Sequence, residues 1–147
     1  MKTRFFGALL AIATVTVAAH GQDIATKTGR IVAPQAGKGQ VVFFRPGTLM
    51  GMALGCTVRE DRTEVARLGA GKYHAVSVAP GKHVYTTQSE AKDVLTLQVE
   101  PGETYFVQCR IGAGIAAGRP NLSPSSEAEF SKRAKGLAQW KGGEEAK

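Results

Sequence analysis

Two cysteines, three histidines and two arginines that each stand before a proline are the residues of this 147-residue chain whose types and spacing could do chemistry. Cys56 and Cys109 are its only cysteines. In an oxidising compartment two such residues are most simply one disulfide. The alternative is a pair of buried thiols in separate strands, each acting as a small apolar side chain. No CxxC pair occurs, so a thioredoxin-like redox role has no basis in the sequence. Arg45 and Arg119 precede Pro46 and Pro120 and close apolar runs. A guanidinium there could hold a carboxylate or phosphate with two hydrogen bonds, or it could cap a strand end and pair with a local acid. Tyr73, Tyr85 or Tyr105 would then complete a surface for a small anionic ligand or a glycan.

Metal and catalytic readings have less to stand on. If Pro80-Gly81 closes a two-residue hairpin, His74 faces Thr87, and His83 lies about 13 Å further along the partner strand, too far to share an ion. A crossing between sheets at that turn would undo the geometry. No carboxylate stands at a spacing that would complete a ligand set, so neither a metal nor a cofactor is expected. Ser77, Ser89, Ser123, Ser125, Ser126 and Ser131 all lack the context of a nucleophile elbow. Glu90, Asp93, Glu100 and Glu103 cluster around turns, where solvated carboxylates are ordinary, and strands this short leave little material for a glycosidase cleft. The expectation is a protein without enzymatic activity.

The elements that must position these residues are strands. Gln40–Arg45 is a β-rich run ended by Pro46-Gly47, and Val58 to Leu68 holds a polar turn at Glu60-Asp61-Arg62 between two short strand-like pieces. Lys72–Val78 sets Tyr73 on one face and Val76 and Val78 on the other. Lys82–Gln88 follows the turn at Pro80-Gly81. In Val94–Val99, Leu95, Leu97 and Val99 alternate with polar residues; in Thr104–Ile111, Tyr105, Val107, Cys109 and Ile111 share a face. Short strands at close spacing with Gly and Pro between them predict an all-β sandwich of about six to eight strands over residues 39–122. No long helical period interrupts this stretch, which argues against an α/β fold. Residues 20–38 read as an irregular lead-in with one short strand at Arg30-Ile31-Val32. Gly47, Gly51 and Gly55 punctuate an apolar stretch with Leu49, Met50, Met52 and Leu54, read as a glycine-rich connection or bulged strand. The run Gly112 to Gly118 is read as a strand with bulges. Residues 123–141 form the C-terminal tail, with a capping box at Ser126 and Glu129 and with Phe130, Ala134, Leu137 and Ala138 at helical spacing. They predict one amphipathic helix over roughly 125–140, and residues 142–147 read as a disordered end.

The first residues carry an address. Met1 to Arg4 is a short basic start, Phe5 to Val17 is uncharged and apolar, and Val17-Ala18-Ala19 supplies the small residues that signal peptidase requires. The apolar run falls short of the ~20 residues that a membrane-spanning helix needs. Residues 1–19 therefore read as a cleaved signal peptide with no transmembrane anchor, and His20-Gly21-Gln22 after the cut leaves no cysteine for lipidation. Net charge is +7, and only Lys2 and Arg4 of its 19 basic residues lie in the leader. The remaining positive charge is scattered. In the periplasm or outside the cell, anionic glycans or lipopolysaccharide are more natural counterparts for it than nucleic acid.

Five phrases together resemble one bacterial family of exported proteins and lipoproteins, known as domain of unknown function 2846. They are Gln40-Val-Val-Phe-Phe-Arg-Pro-Gly47, Leu68-Gly-Ala-Gly-Lys-Tyr-His74, Val78-Ala-Pro-Gly-Lys-His83, Val99-Glu-Pro-Gly-Glu-Thr-Tyr105 and Gly118-Arg-Pro-Asn-Leu122. The resemblance implies an envelope-associated, immunoglobulin-like or PEGA-like antiparallel sandwich, and it carries no assigned activity. This chain departs from the many lipoprotein members in lacking the lipidated cysteine. The expected role is therefore an exported interaction or structural module with an envelope protein as partner, joined through sheet edges. The alternative is a periplasmic module binding a small anionic ligand or glycan through Arg45, Arg119 and Tyr73.

Overall fold

The computed structural model describes residues 23–49, 51–89, 91–114 and 118–142. The expected leader, His20, Met50, Glu90, residues 115–117 and most of the expected disordered end (143–147) lie outside the described residues.

Alternating apolar side chains assemble two sheets. The first has the order β10–β9–β3–β6–β11, built from β3 (Gly39–Arg45), β6 (Lys72–Val78), β9 (Thr104–Gly112), β10 (Arg119–Ser125) and β11 (Ala138–Gln139). The second has the order β5–β4–β7–β8, built from β4 (Cys56–Glu60), β5 (Thr63–Leu68), β7 (Gly81–Gln88) and β8 (Lys92–Val99). Val41, Phe43, Val78, Val107 and Cys109 of the first sheet pack on Cys56, Val58, Leu68, Tyr85, Leu95 and Val99 of the second. This is the all-β sandwich the alternation predicts, and the long strands β3 to β10 follow the apolar runs closely. Two pairings are parallel, β3 with β9 and β11 with β6; the rest are antiparallel. Cys56 and Cys109 form a disulfide that ties β4 to β9 and so staples one sheet to the other.

The chain β3 is buried along its whole length because both its faces are covered. Val42 and Phe44 point away from the sandwich interior, into a second core with Tyr73, Phe106, Phe130, Ala134, Leu137 and Ile31. Helix α1 (Glu127–Ala134) and a small ribbon of β1 (Ile24–Ala25) and β2 (Arg30–Ile31) form this outer layer. Ser126 caps α1, its hydroxyl accepting from the Glu129 N–H as the capping box predicts. Phe130 is the anchor: its ring meets Phe44 and Tyr73 edge-on and Phe106 at a tilt, at centroid distances of 5.2, 5.8 and 5.2 Å.

The structure corrects the helix and sandwich boundaries and decides the turn between β6 and β7. The helix ends at Ala134 rather than near 140. Gly136 disfavours another helical turn by about 1 kcal/mol, and the chain instead adds a strand to the open edge of β6, with the Ala138 N–H donating to Gly71 O and the Trp140 N–H to Tyr73 O. Of the two arrangements open at Pro80-Gly81, a hairpin or a crossing between sheets, the structure takes the second, carrying the chain from β6 in one sheet to β7 in the other. The reason is burial: β6 has apolar side chains on both faces and needs a doubly covered position. The strand with bulges expected over Gly112 to Gly118 lies partly outside the described residues; of those described, Gly112 ends β9 and Ala113, Gly114 and Gly118 belong to no strand. This segment joins β9 to β10, which pair from Gly112↔Arg119 to Phe106↔Ser125. That strand runs on through Ser123-Pro124, past the boundary expected for the sandwich, because an edge strand tolerates prolines on its unpaired side.

Candidate functional site

Proline decides where the sheet opens. Pro46 lacks an N–H and ends β3, so the β3–β9 pairing stops at Phe44↔Gln108 while β9 continues to Gly112. The gap this leaves beside Cys109, Arg110 and Ile111 is a cleft of about 360 Å³, walled by Pro46 and Thr48 on one side and by Gln108 and the end of α1 on the other. Among the described residues, three guanidinium groups line it, from Arg45, Arg110 and Arg133, and no carboxylate does. The second cleft, of about 230 Å³ beside β2, is lined by Glu103 and Glu127 and by no cation.

The three arginines differ in what they already hold. Arg45 is 2% exposed, and its guanidinium donates to the carbonyl oxygens of Gly51, Leu54 and, at 3.3 Å, Leu68. Burial holds its pKa below the ordinary arginine value. It therefore pins Gly51 and Leu54 to the end of the sheet, a strand-end cap that bonds carbonyls rather than an acid. Among the described residues Arg110 reaches Gln108 Oε1, at 3.5 Å, and Arg133 reaches the Glu129 carboxylate, at 3.8 Å. Glu129 is more closely held by Lys132 at 2.7 Å, and these cations keep its carboxyl below the ordinary range, Lys132 first and Arg133 and Arg110 after it. Arg110 and Arg133 thus face the cleft with donors at the limit of their protein contacts.

Of the ligand residues expected from sequence, the structure brings only Arg45 to this cleft. Tyr73 is buried in the outer core, where its hydroxyl shares a 3.0 Å hydrogen bond with Thr26 Oγ1. Arg119 opens β10 opposite Gly112 and does not line the cleft. The remaining tyrosines are also occupied within the fold: Tyr85 is fully buried against Phe43, and the Tyr105 hydroxyl accepts from the Glu100 N–H. The outer cations of the cleft, Arg110 and Arg133, are not among the residues the sequence points to. Arg133 stands three residues after Phe130, on the flank of the buried face, and Arg110 is the outward residue next to Cys109 in a cleanly alternating strand. Those positions were readable; that Pro46 opens a gap between them was not.

The histidines lie apart from the cleft. His74 on β6 packs edge-on against Trp140, and its buried Nδ1 has no hydrogen-bond partner; burial lowers its pKa. His83 on β7 bonds Glu60 Oε1 through Nδ1 at 2.6 Å and Ala79 O through Nε2 at 2.7 Å. A carbonyl and a carboxylate both accept, so both bonds together need a doubly protonated ring. Burial opposes that charge, but the Ala79 carbonyl and the Glu60 carboxylate outweigh it and raise the His83 pKa. A raised folded-state value means the stabilisation is complete below the unfolded value of about 6.5 and fades as pH rises through the folded one. His83→Gln should therefore lower the melting temperature at pH 6 relative to wild type by more than at pH 8.5. Thermal melts of both proteins at the two pH values check this; an equal difference would remove the charged pair from the account.

Fold and cleft define a β-sandwich with a helical outer layer and a cation-lined opening at one end. A family model covering residues 35–131, described as protein of unknown function (DUF2846), matches the chain, and the protein belongs to that family. No curated protein and no solved structure matches it.

Proposed function

We propose that this is an exported, non-enzymatic envelope module that binds an anionic group, a phosphate or carboxylate, in the cleft between Arg110 and Arg133. The observation that carries the reading is the lining of that cleft among the described residues: three guanidinium groups, no acid, and the hydroxyl- and amide-bearing Thr48 and Gln108. Buried Arg45 adds fixed positive charge behind the opening, and two outer arginines can close on an anion with paired hydrogen bonds. Export is supported by the leader pattern and by the Cys56–Cys109 disulfide, which suits an oxidising compartment. Titration with inorganic phosphate, followed through the Arg110 and Arg133 side-chain signals by NMR, tests the site. Arg110→Ala and Arg133→Ala should each weaken binding about tenfold or more, as for loss of a charge-assisted bond worth ~1.5 kcal/mol. Wild-type protein that ignores phosphate and acetate alike would end the proposal.

A second reading keeps the protein partner. β8 is an outer strand of eight residues with Val94 54% exposed, a place where a partner could add a strand. The other long outer edge supports this less: β10 carries Pro120 and Pro124, and its Leu122 N–H donates to Asp93 Oδ2 across the sandwich at 2.7 Å. Crosslinking from Val94 in intact cells that captures no protein would remove it.

A further inference from the structure

The segment leading out of the cleft carries the most exposed apolar side chains of the described residues. Leu49 is 89% exposed and Met52 is 62% exposed. They sit one and four residues past Thr48, which lines the cleft. This tip is held rather than loose. Arg45 grips the Gly51 and Leu54 carbonyls from inside, the Leu54 N–H donates to Gly51 O at 2.9 Å, and the Gly51 backbone sits against Ile111 so closely that a Cβ there would lie 2.7 Å from its methyl group. Gly51 also has φ +67°, a conformation other residues adopt only under strain. The result is a fixed apolar projection whose base is a cleft lined by arginines. A buried arginine that pins a loop from which Leu49 and Met52 stand out in water needs a reason outside the core.

Resting on the anion-binding reading above, we infer that this end of the protein docks on an anionic phospholipid surface, with Leu49 and Met52 entering the acyl boundary and a headgroup phosphate seated between Arg110 and Arg133. Charge decides for lipid. An apolar tip alone would fit any greasy partner, but an apolar tip that follows directly on a cleft lined by arginines and, among the described residues, by no acid is the arrangement that interfacial anchors use; Glu129, the nearest described carboxylate to Arg133, is already held by Lys132. The binding of such anchors grows with apolar insertion and with attraction to anionic lipid. Arginine suits the headgroup because its planar fork bonds two phosphate oxygens at once. At the mouth of the sandwich, the short pinned loop also limits insertion to a few side chains, so the attachment is peripheral and reversible.

Flotation with vesicles of phosphatidylcholine alone and of phosphatidylglycerol mixed with phosphatidylcholine tests it, with inorganic phosphate titration run in parallel. Wild type should float with the mixed vesicles, much less with phosphatidylcholine alone, and less again as salt is raised. Leu49→Ser with Met52→Ser should cut vesicle partition about tenfold or more, as expected when two apolar side chains no longer leave water, while phosphate binding is unchanged. Both positions are exposed, so an unchanged melting temperature confirms that the double variant folds. Vesicle binding that survives the double substitution overturns the insertion. Phosphate binding without any flotation overturns the lipid surface and leaves the anion cleft standing. A protein captured at Leu49 with no flotation also overturns it. Loss of both phosphate and vesicle binding in the wild type overturns both readings together.

Discussion

Replacing Cys56 and Cys109 together by alanine should lower the free energy of unfolding by about 4 kcal/mol. The bridge closes a span with a sequence separation of 53, and its absence returns that loop's freedom to the unfolded chain. Both cysteines are buried in the sandwich core, one in each sheet, so the bridge also fixes the facing of the sheets. The loss is a large share of the ~5–15 kcal/mol by which a domain of this kind is stable. Urea titration of wild type and double variant checks it: the midpoint should drop and the slope should rise modestly, since an unfolded chain without the crosslink is less compact and exposes more surface. Dithiothreitol should reproduce the drop in wild type and have no effect on the variant. A midpoint that barely moves would mean that the unfolded chain keeps these two regions together without the bond.

Most of the sandwich was legible because strand periodicity is a local signal. In β8, Leu95, Leu97 and Val99 alternate with polar residues and face inward as that alternation demands. In β9, Tyr105, Val107, Cys109 and Ile111 share the inward face, while Phe106 between them turns to the outer core. What was not legible depended on partners distant in sequence. The Pro80-Gly81 turn looks the same whether it folds β7 back on β6 or carries it to the other sheet, and only the need to bury both faces of β6 decides. The helix was foreseen with its cap and its anchor, but Leu137 and Ala138 fit a helical face as well as they fit a return strand. The open edge of β6 settled that choice. The site shows the same limit. Arg45 was picked as a binding residue because it stands at a strand end before a proline. Those features place it there, but whether its donors meet solvent or carbonyls depends on where residues 47–55 fold. Arg110 and Arg133 come from separate elements and converge only because α1 packs across β9.

That convergence makes Phe130 the residue on which the site depends most. Phe130→Ala should destabilise the protein by about 4 kcal/mol, in the range for a fully buried aromatic truncated in a core. Its ring fills the space among Phe44, Tyr73 and Phe106, and no neighbour can cover the loss, since Ala134 and Leu137 hold adjacent positions in the same outer core. The damage should not stay in the core. Arg133 lies one turn further along the helix, so an α1 that no longer seats on the sheet carries its guanidinium away from Arg110 and opens the cleft. Phosphate affinity should therefore fall with stability, even under conditions where the variant is folded, and the Arg110 signal should lose its response to phosphate. Phe130→Leu, which keeps most of the apolar volume, should restore phosphate binding to near the wild-type value while remaining measurably less stable. Chemical denaturation and phosphate titration on the three proteins check both halves. If Phe130→Ala loses stability and binds phosphate as wild type does, the helix is only a cover for the sheet and Arg133 is not part of the cleft's chemistry.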